Sequence, residues 1–263
     1  MLRSIRNLMN YPIEGGGSRL GKVRDFLFDD RQWGIRYLVA DTGGWLHGKK
    51  VLVSPEHLDP PREGGSVDSF QTSLTREKIE SGPLLDEDAP VSRRYEMEYA
   101  SYHQHLPYWK TLQADLHTGG MAGMGFDPGA GASVQPSEGE FSKHERQIEK
   151  IDECHVRSSR EVVGYAIEAS DGGIGNIEDL IVDTRAWRIR HLVIDTRKWL
   201  PGKQVITDID WIEDFDWAGR KAAIDYTRDE IKDSPEFDPS APVNREYEER
   251  LYDYYGRRRY WEK

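Results

Sequence analysis

Residues 21–51 read GKVRDFLFDDRQWGIRYLVADTGGWLHGKKV, and residues 175–205 read GNIEDLIVDTRAWRIRHLVIDTRKWLPGKQV. At this fixed offset of 154 residues, 16 of 31 positions are identical, which marks an internal repeat. Each copy opens on an apolar, β-branched run, Val23–Asp29 and Ile177–Asp183. A polar turn follows, then Ile35–Ala40 and Ile189–Ile194, another turn, and Lys50–Val53 and Gln204–Thr207. Short strands spaced about ten residues apart and separated by Gly and Asp predict an antiparallel barrel or sandwich. A parallel sheet would need crossover helices, and the spacing leaves no room for them.

Working outward, the same offset pairs Tyr11 with Tyr165, Ile13 with Ile167 and Glu14 with Glu168. These segments end in turns at 15–18 and 170–173, where glycine supplies the positive φ that a tight hairpin needs. Beyond the strands the offset becomes 152, so that LTREKIESGP (74–83) matches YTRDEIKDSP (226–235) and APVSRRYEMEYASY (89–102) matches APVNREYEERLYDYY (241–255). Thr227 and Glu230 have capping-box spacing, and Ser92 and Asn244 are N-cap types. Tyr95, Tyr99 and Tyr102, with Tyr247, Leu251 and Tyr254, recur at i, i+4 and i+7, a single aromatic stripe on each helix. The expected fold is mainly β with short α extensions: two tandem small antiparallel β-barrels, each followed by a helical segment. Repeat 1 spans 1–110 and repeat 2 spans 155–263. The Gly/Ala/Ser/Pro-rich stretch 111–154 reads as a flexible linker, with a helix expected over Lys143–Glu153.

Of the 263 residues, 37% are hydrophobic and 32% charged, and the formal net charge is −11. That charge repels phosphate backbones and argues against nucleic-acid binding. Cys154 is the single cysteine, so no disulfide framework or cysteine-based zinc site is expected. No apolar run suits a signal peptide or a membrane span, so a cytoplasmic protein without an integral membrane segment is expected.

The repeated acids Asp25, Asp29, Asp41, Asp179, Asp183 and Asp195 fit turn and strand chemistry better than paired catalytic carboxylates. Asp29 and Asp183 should bond turn amides, and Asp25 and Asp179 should pair with Arg36 and Arg190. The glycine-rich run Gly15–Gly21 lacks the Gly-Lys-Ser/Thr ending of a phosphate loop and opens a strand. His103, His105 and His117 are a weak metal candidate, because the second copy has Tyr255 and Arg257 where the first has His103 and His105. Cys154 and His155 are adjacent and point apart in an extended chain, a poor nucleophilic pair. Trp33, Trp45 and Trp109 recur as Trp187, Trp199 and Trp261, whereas Trp211 and Trp217 are unmatched. Rings beside turns cap small barrels, and Trp and Tyr also anchor interfaces. Trp45, Trp199, Tyr108, Trp109, Tyr260 and Trp261 are therefore the candidate interaction surface. The pairs Tyr108-Trp109 and Tyr260-Trp261 are expected to dock on the other repeat or on a second chain.

The pattern Gly-x-Val/Ile-x-Asp, an apolar run to Asp, Leu-Val-x-Asp-Thr and Trp-Leu-x-Gly-Lys resembles the PRC-barrel family. It is carried by Gly21, Val23, Asp25, Asp29, Leu38, Val39, Asp41 and Gly48, and by Gly175, Ile177, Asp179, Asp183, Leu192, Val193, Asp195 and Gly202. The helical extensions resemble those of a stress-associated bacterial subgroup. The resemblance implies a small β-barrel that serves protein interaction or assembly and carries no shared catalytic set. The expected function is a non-catalytic interaction module with no cofactor and no metal, binding a protein partner or self-associating, for instance as a homodimer. One alternative is a small-ligand or metal-binding protein using a cleft between barrels. The other is a membrane-peripheral assembly factor akin to the photosynthetic reaction-centre H subunit, touching anionic lipid through Arg257-Arg258-Arg259-Tyr260-Trp261.

Overall fold

The computed structural model describes residues 1–46, 49–59, 69–86, 90–105, 107–109, 155–196 and 204–262. Internal contacts divide the chain into two compact units, Met1–Arg76 with His155–Lys263, and Glu77–Cys154. Residues 1–76 of the first copy and residues 155–263 thus fall in one unit. The stretch 111–154 and the helix expected over Lys143–Glu153 lie outside the described residues, as do Gly48, His117, Cys154, Trp199 and Gly202.

The larger unit holds two curled, mainly antiparallel sheets. The first contains β2 (Pro12–Gly15), β3 (Ser18–Asp29), β4 (Ile35–Asp41), β5 (Lys49–Val53) and β6 (Phe70–Thr72), ordered β6-β2-β3-β4-β5. In the smaller unit lie the short strand β7 (Leu85–Asp86), most of helix α2 (Arg76–Glu80) and helix α3 (Arg93–His103). The second sheet contains β9 (Ala166–Ala169), β10 (Gly172–Asp183), β11 (Arg188–Asp195), β12 (Gln204–Asp208), β13 (Ile212–Asp216) and β14 (Lys221–Ile224), ordered β12-β11-β10-β9-β14-β13. Between the sheets' own strands every pair is antiparallel except one in each, β2 with β6 and β9 with β14. These two parallel pairs depart from the all-antiparallel expectation. Their crossover is made by the intervening strands: the sheet curls until a late strand returns beside an early one, so no helix is needed.

The hairpin between β2 and β3 turns through Gly16 and Gly17, both at positive φ, with Gly15 paired to Ser18. Two positive-φ residues in succession match the right-handed twist of the flanking strands. At Gly21 and Gly175 an added Cβ would collide with the carbonyl oxygens of Asp41 and Asp195 on the neighbouring strand. The repeated glycine therefore permits close strand approach. Gly175→Ala is expected to destabilise the unit by more than about 1 kcal/mol, read as a fall in the urea midpoint.

The strands β3 and β10 carry irregularities at matching positions, between Val23 and Asp25 and between Leu27 and Phe28, and between Ile177 and Asp179 and between Ile181 and Val182. The cores are aliphatic and aromatic, with Ile13, Leu20, Phe26, Phe28 and Leu38 buried under the first sheet and Ile167, Ile174, Leu180, Ile189 and Leu192 under the second.

Helix α5 (Arg228–Asp233) begins with the full Thr227–Glu230 capping box, and α6 (Arg245–Tyr254) begins at Asn244, whose side chain accepts from the Tyr247 amide at 2.9 Å. Ser92 caps α3 in the same way through Tyr95. The stripe expected on α6 is only partly correct. Tyr247 and Leu251 are buried, but Tyr254 is exposed, and Tyr252 takes the inward place. The inward face holds polar partners for Tyr252, described below, whereas the Tyr254 hydroxyl lies along α5 and donates to the Glu230 carbonyl.

Candidate functional site

The most constructed region of the larger unit is the seam between its two sheets. Strand β1 (Leu2–Ser4) pairs with Ile181–Asp183 of β10, and β8 (Val156–Ser158) pairs with Leu27–Asp29 of β3, both antiparallel. These exchanges correspond residue by residue: Leu2 faces Asp183 as Val156 faces Asp29. Each exchanged strand runs into one helical turn, α1 (Ile5–Leu8) or α4 (Ser159–Val162), N-capped by Ser4 or Ser158. A short strand followed by a serine is all the local sequence this requires, since the serine oxygen accepts the first orphan amide.

The acids of the Gly-x-Val/Ile-x-Asp pattern lock these turns. Asp25 accepts from Ser158 Oγ at 2.5 Å and Ser159 Oγ at 2.8 Å. Asp179 accepts from Ser4 Oγ and from the Arg6 amide. The expected pairing of Asp25 with Arg36 and Asp179 with Arg190 is thus incorrect. Arg36 lies 3.8 Å from Asp29, and Arg190 stacks over the Tyr260 ring at 4.2 Å. The acids sit where the exchanged chain passes, which sequence distance hid. Burial pushes the Asp179 carboxyl up, against the hydrogen bonds from Ser4, Leu180 and Arg6 that lower it.

Asp29 and Asp183 bind the turn amides of Arg31 and Gln32, and of Arg185, at 2.9–3.0 Å. Burial raises the Asp183 carboxyl, but the amino group of Met1 and the Arg185 amide outweigh it and hold the carboxyl below its ordinary value. Asp41 binds the Gly43 amide at 3.0 Å, and Asp195 pairs with Asn176 and Gln204 at the ends of β10, β11 and β12.

At the centre of the seam, Trp33 and Trp187 both have positive φ, 60° and 48°. A bulky side chain tolerates that region only when the surroundings hold it there. Here the two turns pair directly. The Ile35 amide donates to the Trp187 carbonyl at 2.6 Å, and the Ile189 amide donates to the Trp33 carbonyl at 2.8 Å. Trp33 stacks on Phe28 (centroids 4.9 Å, 13° from parallel) and meets Phe215 of the second sheet at 4.9 Å. Trp187 reaches Phe70 of the first sheet at 5.9 Å. Each turn thus sends an indole to the other sheet.

The second sheet carries a buried polar cluster that the sequence reading does not single out. His191 is fully buried, its Nε2 3.1 Å from Glu248 and its Nδ1 3.7 Å from Asp208. The Tyr252 hydroxyl donates to Asp208, the Tyr260 hydroxyl donates to Glu248 at 2.9 Å, and Arg245 meets Glu248 at 2.9 Å. Burial raises the Asp208 carboxyl, while the His191 charge and the Tyr252 hydrogen bond lower it. Burial, then the nearby Glu248 charge, pushes the Tyr260 hydroxyl up to about 12. In the first copy the matched positions are Tyr37, Ser54 and Ala100 for His191, Asp208 and Tyr252. The legible signal was a concerted difference between copies.

The terminal aromatic pairs lie against arginines of the helices that precede them. Arg93 stacks over Trp109 at 3.9 Å, binds Glu96 at 3.0 Å and donates to Tyr108 at 3.2 Å. Arg245 stacks over Trp261, also at 3.9 Å. An arginine one turn from a glutamate leaves its flat face to the indole, giving the tail a local anchor. Trp45 is held as well: its indole N–H donates to the Leu20 carbonyl at 3.0 Å, and Arg76 lies 5.2 Å over its ring. All five described rings of the expected surface are half-buried.

His103 and His105 stack with centroids 6.3 Å apart, beside Tyr99. Among the described residues no group of three or more His, Cys, Asp or Glu side chains is placed to hold a metal ion. His155 binds Asp30 at 3.0 Å, beside Arg157. Also among the described residues, no helix is long and apolar enough to cross a membrane.

Two adjoining hollows open beside α1 and α4, one of about 220 Å³ and one of about 350 Å³, sharing Met9 and Arg160.

The comparisons with known proteins agree with the β architecture. An uncharacterized protein of Deinococcus radiodurans is 30% identical over 95 residues, and the match spans 34% of this chain and 34% of that one. Residues 3–67, which hold β2 through β5 and the end of β1, match the PRC-barrel domain.

Proposed function

We propose that the chain is a tandem PRC-barrel protein that works as a non-catalytic interaction or assembly module. In this reading the second sheet is another copy of the domain matched by residues 3–67. The matching positions of its strand irregularities at an offset of 154 support the duplication. The fate of the repeated acids supports the non-catalytic part. Asp25 and Asp179 are taken up in capping exchanged helical turns, and Asp29 and Asp183 in closing hairpins. The domain match carries the interaction reading, since the resemblance implies modules that hold other proteins.

Affinity capture of the full chain from stressed and unstressed cells, with light scattering of the purified protein, tests this reading. The expected result is a stoichiometric protein partner or a defined self-association. A monomer that captures nothing, and whose Tm rises with a small ligand or metal ion, would instead favour a ligand-binding protein.

A further inference from the structure

The anchor of each aromatic tail is repeated, but the buried set beside it is not. Arg93, Glu96 and Tyr108 of the first copy match Arg245, Glu248 and Tyr260 of the second at the offset of 152. His191, Asp208 and Tyr252 stand instead where the first copy has Tyr37, Ser54 and Ala100. These three differences place an imidazole between a carboxylate of β12 and a carboxylate of α6, all three side chains nearly closed to solvent.

The two nitrogens of His191 are unequally served. Glu248 accepts from the Tyr260 hydroxyl and meets Arg245, both at 2.9 Å, so Nε2, 3.1 Å from the same carboxylate, is placed as a donor. Nδ1 makes no hydrogen bond among the described residues, and it faces Asp208 Oδ2 across 3.7 Å. That carboxylate already accepts from the Tyr252 hydroxyl and, at 2.8 Å, from the Asp210 amide. A lone pair on Nδ1 would confront a second acceptor, and one proton between them turns the conflict into a hydrogen bond. Opposite His191 on β10 is Ile181, which brings no charge. Arg190 lies over the Tyr260 ring at 4.2 Å, and Asp210 pairs with Arg188 at 2.6 Å.

We propose that this cluster is a proton-operated clasp that fastens α6 and the C-terminal tail to the second sheet. It is closed while a proton is shared between His191 Nδ1 and Asp208, and it loosens when that proton passes to solvent. With the proton in place the imidazole is a donor on both sides, and Glu248 holds α6 against it. Without it, two buried carboxylates flank the ring. Asp208 is fixed at the end of β12, where it caps the following helical turn, so Glu248 is the one that can return to water by lifting α6. Burial raises the Asp208 carboxyl and so works in the same direction. The folded cluster thus binds the proton more tightly than the opened one. The clasp contributes fully at low pH, and its contribution is lost as pH rises through the folded value. It stands independently of the interaction reading above.

Hydrogen exchange of the full chain, corrected for the intrinsic effect of pH on amide exchange, tests this without any variant. Protection of the α6 amides over 249–254 is expected to fall at least about tenfold between pH 6 and pH 9, a tenfold step for each unit by which closure raises the proton affinity. Protection over β3 and β4 should fall far less. Asp208→Asn supplies a second arm. Its side-chain oxygen keeps the cap on the Asp210 amide, and its NH2 can donate to Nδ1 without any titrating proton. In this variant α6 should be equally protected at both pH values, and better protected at pH 9 than in the wild type. Unchanged protection of wild-type α6 across the range overturns the proposal, as does an equal loss over β3 and β4. An Asp208→Asn variant that keeps the wild-type pH dependence, or that leaves α6 poorly protected at both pH values, overturns it too.

Discussion

His191→Leu is expected to destabilise the larger unit by about 3–5 kcal/mol at neutral pH, the range for breaking a buried ionic cluster from one side. The imidazole lies between Asp208 and Glu248, both nearly inaccessible to solvent. Leucine fills much of the volume, so the loss is mainly electrostatic. The pH dependence separates this from a packing defect. A carboxyl raised by burial, as at Asp208, adds most to stability below the ordinary carboxylate range, and that contribution is lost as pH rises through its folded value. Without His191 the Asp208 carboxyl rises further, and protonation relieves the unpaired charge. The deficit of the variant should therefore narrow between pH 7 and pH 5, read from paired urea titrations. An equal deficit at both pH values would show that shape, rather than charge, holds His191 in place.

Trp33→Ala is expected to remove a similar amount, about 3–5 kcal/mol, because a large ring leaves a cluster formed by Phe28, Phe215 and Trp217. Trp187→Ala should cost less, since its ring contact with Phe70 is longer, at 5.9 Å. Backbone conformation supplies a second test. Position 33 sits at φ 60°, where glycine is at ease and alanine is strained. Trp33→Gly should consequently be more stable than Trp33→Ala, the reverse of the usual order at a buried site. Urea midpoints for the three variants would decide the matter.

The strands, hairpins and helix caps were legible because their causes are local. The apolar run at Val23–Asp29, the glycines at 15–17 and the Thr227–Glu230 spacing each act within a few residues. What escaped was non-local. Leu2-Arg3-Ser4 and Val156-Arg157-Ser158 are too short to announce a strand, and their partners lie far along the chain. Asp25 reads as a partner for Arg36, whereas its partners are Ser158 and Ser159. The arginines beneath the aromatic tails, such as Arg245 under Trp261, are one helix away in sequence and carry no motif of their own.

The exchange of β1 and β8 also governs how the polypeptide is made. Ser4 bonds a residue 175 positions later, and the Met1 carbonyl accepts from one 183 positions later. At the usual pace of synthesis, about 5–20 residues per second, the leading strand waits roughly 10–35 s for its mate to leave the ribosome. Until then β3 has an open edge, which invites pairing with a neighbouring nascent chain. A fold assembled from such distant contacts has a high contact order and closes late. Its most vulnerable moment comes before the second half exists.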